Sequence, residues 1–157
     1  MRRVALPLCD SESRPTMNFP PPSPWKLRAA VDPAREYVVF TSAFYLKSLL
    51  RVPAFIRRAM KIMKQADAAS GIVGWSLGQN IFKLEFYTLS VWQDAESLRH
   101  FVRDGAHLGS LTEFEHDMRR KTIFVYYKLS GRDLPPSWKD AFARQRQHDD
   151  ARSKRAG

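Results

Sequence analysis

The sequence predicts an α+β domain of ferredoxin-like design: a four-stranded antiparallel sheet in βαββαβ order, with both helices on one face. Three observations carry this. Stretches of β-branched and aromatic residues alternate with two stretches of helical period. Cap and turn residues fall between them. With 157 residues, 44% of them apolar and 12% aromatic, the chain suits one domain with a substantial core.

Residues 1–24 are rich in Ser, Pro and Arg and show little periodicity. The Phe19–Pro24 stretch must be extended, because proline fixes φ and lacks an amide donor. Residues 1–24 therefore read as a disordered or extended arm, 25–147 as the domain, onto which Trp25 to Ala34 is expected to pack as a continuation of the arm, and 148–157 as a charged tail. Met17 offers an alternative start.

The first strand runs from Tyr37 to Tyr45, apolar on both sides. Pro53 suits the first turn of a helix. In that helix Phe55, Ile56, Ala59, Ile62, Met63 and Ala66 form one face, and Arg57, Arg58, Lys61 and Lys64 point away. Ser70-Gly71 ends it. The second strand spans Ile72 to Gln79, Gln79-Asn80 turns the chain, and the third strand spans Phe82 to Trp92. Asp94 caps the next helix, whose buried stripe is Leu98, Phe101 and Val102. Gly105 breaks it, and a continuation passes through Leu108, Leu111, Phe114 or Glu115, and Met118. Thr122 to Leu129 is the fourth strand. Pro135-Pro136-Ser137-Trp138 opens a short helix to about Gln147.

With both helices on one face, the other face of such a sheet should alternate with polar residues. Strands one, three and four instead read apolar on both sides. Each Å² of apolar surface left in water costs roughly 25 cal/mol, so something must cover that face. A second copy of the chain, forming a homodimer, is the expected cover. The proline-rich arm or the C-terminal helix is the rival.

No apolar run reaches the ~20 residues of a membrane span. The basic start Met1–Arg3 leads an apolar stretch that is too short for a secretory signal and is interrupted by Pro7. The single cysteine, Cys9, excludes an internal disulfide and a Cys-based zinc site, and fits a reducing, cytoplasmic location. No histidine pair has the spacing of a zinc site, so no metal is predicted. The net charge of +10 attracts anions of any kind. RNA-recognition motifs share the βαββαβ order, but they need a basic–glycine–aromatic pattern on strand three, and Lys83–Leu89 has no glycine. That argues against nucleic acid.

The run Leu84–Phe101, with Trp92 closing a strand, Asp94 as cap, and then Gly105-Ala106-His107, resembles the dimeric α/β-barrel superfamily, in its antibiotic-biosynthesis monooxygenase-like branch. The strand Gly71–Leu77 is similar to that branch's glycine–aliphatic–glycine strand, and the resemblance covers roughly 37–142. It implies a pocket between the sheet and its helices that takes a small aromatic or apolar ligand. It further implies an oxidoreductase that uses neither metal nor flavin: a phenolic or enolic substrate is deprotonated and its anion reacts with dioxygen. Haem-degrading relatives place a histidine on iron, so haem is the one cofactor the resemblance allows, and a non-catalytic dimer is a further alternative. His107 is the matching candidate for the catalytic position, with Trp92 as a pocket wall. Trp75, Tyr87 and Phe86 are further candidate substrate contacts, and Arg119 is a candidate for an anionic substrate group. Thr41 and Ser42 stand on the first strand where some catalytic relatives carry an asparagine. Glu85 reads as an exposed position at the sheet edge.

Overall fold

A computed structural model describes residues 20–103 and 113–156. The candidate His107, the Gly105 break and the continuation through Leu108 and Leu111 lie outside the described residues. The elements in chain order are β1 (Lys26–Leu27), β2 (Glu36–Tyr45), α1 (Val52–Ala68), β3 (Ile72–Asn80), β4 (Glu85–Trp92), α2 (Ala95–Arg103), β5 (Ile123–Ser130) and α3 (Trp138–Ala156).

The sheet is antiparallel with order β1-β3-β4-β2-β5. Along the chain β2, α1, β3, β4, α2 and β5 follow the expected βαββαβ order. The fifth strand, β1, is a correction to the four-stranded expectation: two residues of the N-terminal arm pair with Trp75 and Gly74. The arm can lie there because Gly74 has no side chain, and a Cβ would come within 2.6 Å of the Trp25 ring. The hairpin also differs from expectation. β4 starts at Glu85 rather than Phe82, because the Asn80 side chain accepts from the Lys83 amide (3.2 Å) and folds Ile81–Lys83 into a 3₁₀ turn. Leu84 leaves that turn at φ 55°, and Phe82 is left 82% exposed.

α1 starts where Pro53 allows and ends before Gly71, whose φ of 86° suits glycine. Asp94 caps α2 by accepting from the Ser97 amide at 2.8 Å, and Leu98 and Phe101 are buried. The Asp67 carboxylate near the end of α1 accepts two bonds from Arg28, both 2.7 Å, and one from the Trp75 indole. The Arg28 guanidinium, aided by that indole, holds it below the usual carboxylate range.

A β-bulge between Ile72 and Gly74 puts Ile72 and Trp75 on the face of α1 and α2, where they pack with Val38, Met63, Trp92 and Phe101. On the other face Val39, Val73, Leu89, Val91 and Tyr127 pack against Ala141 and Trp138 of α3 and against Trp25 and Val31 of the arm. Of the two expected covers, the helix and the arm of the chain itself are what pack on this face. The contact is specific. Gln145, buried on α3, donates to Thr41 Oγ1 at 2.7 Å. The Trp138 indole donates to Ser76 Oγ at 3.3 Å, which in turn donates to the Ser23 carbonyl at 2.7 Å. α3 also continues through the stretch expected as a tail, where Arg120 and Arg152 both pair with Asp149. No helix among the described residues is long and apolar enough to cross a membrane.

Candidate functional site

The helix-side face of the sheet is not filled by side chains. Strand alternation aims Phe40, Ser42 and Phe44 of β2, and Thr88, Ser90 and Trp92 of β4, at the same side. Above them α1 presents Phe55, Arg58, Ala59, Ile62, Met63 and Ala66. Phe101, Phe114, Met118 and Thr122 close the ends. Between these residues lies a cavity of about 80 Å³.

Its walls are aromatic. Phe44 meets Phe55 at 5.3 Å between ring centroids, Phe55 meets Phe114 edge-on at 5.5 Å, and Trp92 lies 4.8 Å from Phe101. Its floor is a strip of hydroxyls. Ser42 and Thr88 are register partners and their side-chain oxygens are hydrogen-bonded at 2.5 Å. One hydroxyl proton is committed to that bond. The other is available to an acceptor in the cavity, since each hydroxyl carries one donor. Ser90 Oγ is already committed: it accepts from the Trp92 indole at 3.0 Å and donates to the Phe40 carbonyl at 3.3 Å.

Arg58 is the cation of the lining. It lies 3.6 Å from the Glu113 carboxylate and is about one quarter exposed. This revises the expectation that it faces away with Arg57, Lys61 and Lys64. Among the described residues the lining contains no histidine, carboxylate or lysine. The described lining can therefore hold an oxygen anion, through one hydroxyl donor and a guanidinium in an apolar setting, and among the described residues it contains no carboxylate or imidazole to accept a proton.

Of the described candidate site residues, Trp92 lines this cavity. Trp75 shares its face but is packed in the core, its indole held by Asp67 at 2.5 Å and the Lys26 ammonium 4.4 Å over its ring. Phe86 packs on Phe55 at 5.0 Å, beside Leu46 and Phe114. Tyr87 points to the opposite face, against Phe142 at 4.8 Å, because one-residue steps along a strand alternate sides. Its hydroxyl donates to Glu85 at 2.6 Å, and burial, then that carboxylate, push it well above the ordinary tyrosine range. Arg119 is fixed elsewhere: it pairs with Glu85 at 2.8 Å and donates to the Lys83 carbonyl at 2.5 Å. Glu85, expected at an exposed edge, is thus the partner of both. The four predicted aromatics do not form one pocket. The hydroxyl strip and Arg58, which the sequence reading passed over, do line one.

No family model matches the chain, and no curated protein does either. Solved structures do. A protein of Nitrosomonas europaea, provisionally named an antibiotic biosynthesis monooxygenase, superposes with a TM-score of 0.53 at 14% identity, covering 69% of this chain and 99% of its own. A similarly named protein of Caulobacter crescentus gives 0.53 at 9% identity, covering 59% and 89%. A conserved protein of Methanosarcina mazei gives 0.53 at 13%, covering 58% and 90%. At these identities the likeness is one of fold: this chain folds as the antibiotic-biosynthesis monooxygenase-like proteins do.

Proposed function

We propose that the cavity binds a small aromatic molecule through a phenolic or enolic oxygen and favours its anion, the state that reacts with dioxygen in cofactor-independent monooxygenation. The observation that carries this is the uncommitted hydroxyl proton of the Ser42–Thr88 pair, set in aromatic walls beside Arg58. An oxygen anion is better stabilised by such donors in a water-poor site than by water itself. At about 80 Å³ the cavity is roughly half the volume that holds benzene in an engineered core, so ring binding requires lining side chains such as the flexible Met63 and Met118 to shift.

4-Nitrophenol tests this, because its anion absorbs visibly and its neutral form does not. Titrated with protein across the neutral range, it is expected to show a lowered pKa when bound. Arg58→Gln and the Ser42→Val, Thr88→Val double variant should each return that pKa toward the free value, while the chain stays folded by circular dichroism. Absence of binding, or a raised pKa, contradicts the proposal.

Haem does not fit. A macrocycle is far larger than this cavity, and the described lining offers no histidine, cysteine or tyrosine to iron. An RNA-stacking surface is also poorly supported, since on β2 and β4, the strands that would carry the stacking aromatics, no aromatic residue is exposed.

A further inference from the structure

The cavity shares a wall with a second, open space. Met118 and Thr122 line the cavity, and the same two residues line a groove of about 600 Å³. Phe124 also lines the groove. Its ring stacks on Phe40 at 6.0 Å with an interplanar angle of 6° and meets Phe44 edge-on at 6.1 Å; both of those line the cavity. Met118, Thr122 and these ring contacts thus form a wall common to both.

The groove differs in chemistry. It is lined by Arg120, Lys121 and Arg152 together with Glu115. Asp149 pairs with both arginines, so three cations face two carboxylates and one positive charge remains. Lys121 has no hydrogen bond or ion pair with any described residue. Arg152 reaches the shared wall directly, with Nη1 3.5 Å from the Thr122 carbonyl. A ligand whose ring sits against Phe40 and Phe44 would therefore bring any chain passing Thr122 under two cations.

We propose that the ligand is an aromatic carboxylate: a phenolic ring in the cavity and, on a short chain, a carboxylate held in the groove by Lys121 and Arg152. This rests on the ring-binding role proposed above and names its substrate class. A guanidinium and an ammonium lining the groove favour a carboxylate over a neutral group of the same length.

The test compares 3-(4-hydroxyphenyl)propionate with 3-(4-hydroxyphenyl)-1-propanol, which share ring and chain and differ in head-group charge, by calorimetric titration of the full chain at low salt. The acid should bind about fivefold or more tightly than the alcohol. Lys121→Gln should remove most of that advantage and leave alcohol binding unchanged. This variant spares the Asp149 pairs that hold α3. Arg152→Gln should act in the same direction, and added salt should narrow the gap. If the alcohol binds as well as the acid, or the advantage survives in the Lys121→Gln, Arg152→Gln double variant, the carboxylate site is wrong and the ring site stands. If neither compound binds, the ring site fails and takes the groove with it.

Discussion

Tyr127 points to the sheet face under α3, and its hydroxyl is buried beside the Asp140 carboxylate without a hydrogen bond of good geometry among the described residues. The Arg144 guanidinium lies 4.0 Å from the centre of its ring. An unpaired buried hydroxyl costs on the order of 1–3 kcal/mol, so Tyr127→Phe should stabilise the fold by about 1 kcal/mol, read as a higher denaturant midpoint. Burial, reinforced by Asp140 and opposed by Arg144, pushes this phenol up to about 12 from an ordinary value of 10. The folded state therefore holds its proton where the unfolded chain has lost it. The resulting stability is complete below pH 10 and is lost as pH rises toward 12. Tyr87 and Tyr45 are raised in the same direction, each by burial first. Alkaline unfolding should begin near pH 10, and Tyr127→Phe should make it less steep. A variant with an unchanged midpoint and an unchanged alkaline limb would show that this hydroxyl finds a partner in solution.

At this scale the sequence was legible where a residue's type and place agree. Trp92 closes a strand, is fully buried and lines the cavity, as expected of it. Ser42, Thr88 and Ser90 were not legible. A hydroxyl on a strand looks the same whether it faces water or a cavity, and only the register that sets Ser42 beside Thr88 gives the pair meaning. Arg58 was misread because it sits at the margin of the apolar stripe of α1, where a long side chain can turn either way.

Among the elements, α3 is the one whose reach the pattern understated. Trp138, Ala141, Phe142 and Gln145 recur at three- and four-residue steps and form its contact stripe, and Asp149 and Arg152 continue it. A small residue, an amide and then two charged groups hold the places where large apolar side chains would announce a buried helix. Their partners, Thr41, Arg120 and the Thr122 carbonyl, are distant in sequence, and no local period reveals them. The helix lies close to the sheet because Gly78 is bare: a Cβ there would meet the Trp138 ring at 3.2 Å. Gly78→Val should push Trp138 outward and cost about 1–3 kcal/mol, with faster protease cleavage within 138–156 than in the parent. Unaltered stability and cleavage would place α3 farther from the sheet. By contrast β2, β3, α1 and α2 were read nearly to their ends, because cap residues and apolar period coincide there. β4 was read three residues too long, because a left-handed leucine after a capped 3₁₀ turn leaves no mark in composition.

For the whole molecule, the physical premise taken from the sequence holds: a sheet apolar on both faces needs two covers. The cover it was paired with does not follow from that premise, since a helix of the same chain serves as well as a second sheet. The difference divides the molecule into a closed rear, knit by Gln145 and Trp138, and a front that keeps a cavity. Removing α3 would bare Val39, Leu89, Val91 and Tyr127 together, a patch of the kind that drives association. Light scattering on the intact chain and on a chain ending at residue 134, at matched concentrations, measures this most directly. The shortened chain is expected to form larger species than the intact one, and the same mass distribution for both would show that α3 is not what covers the rear of the sheet.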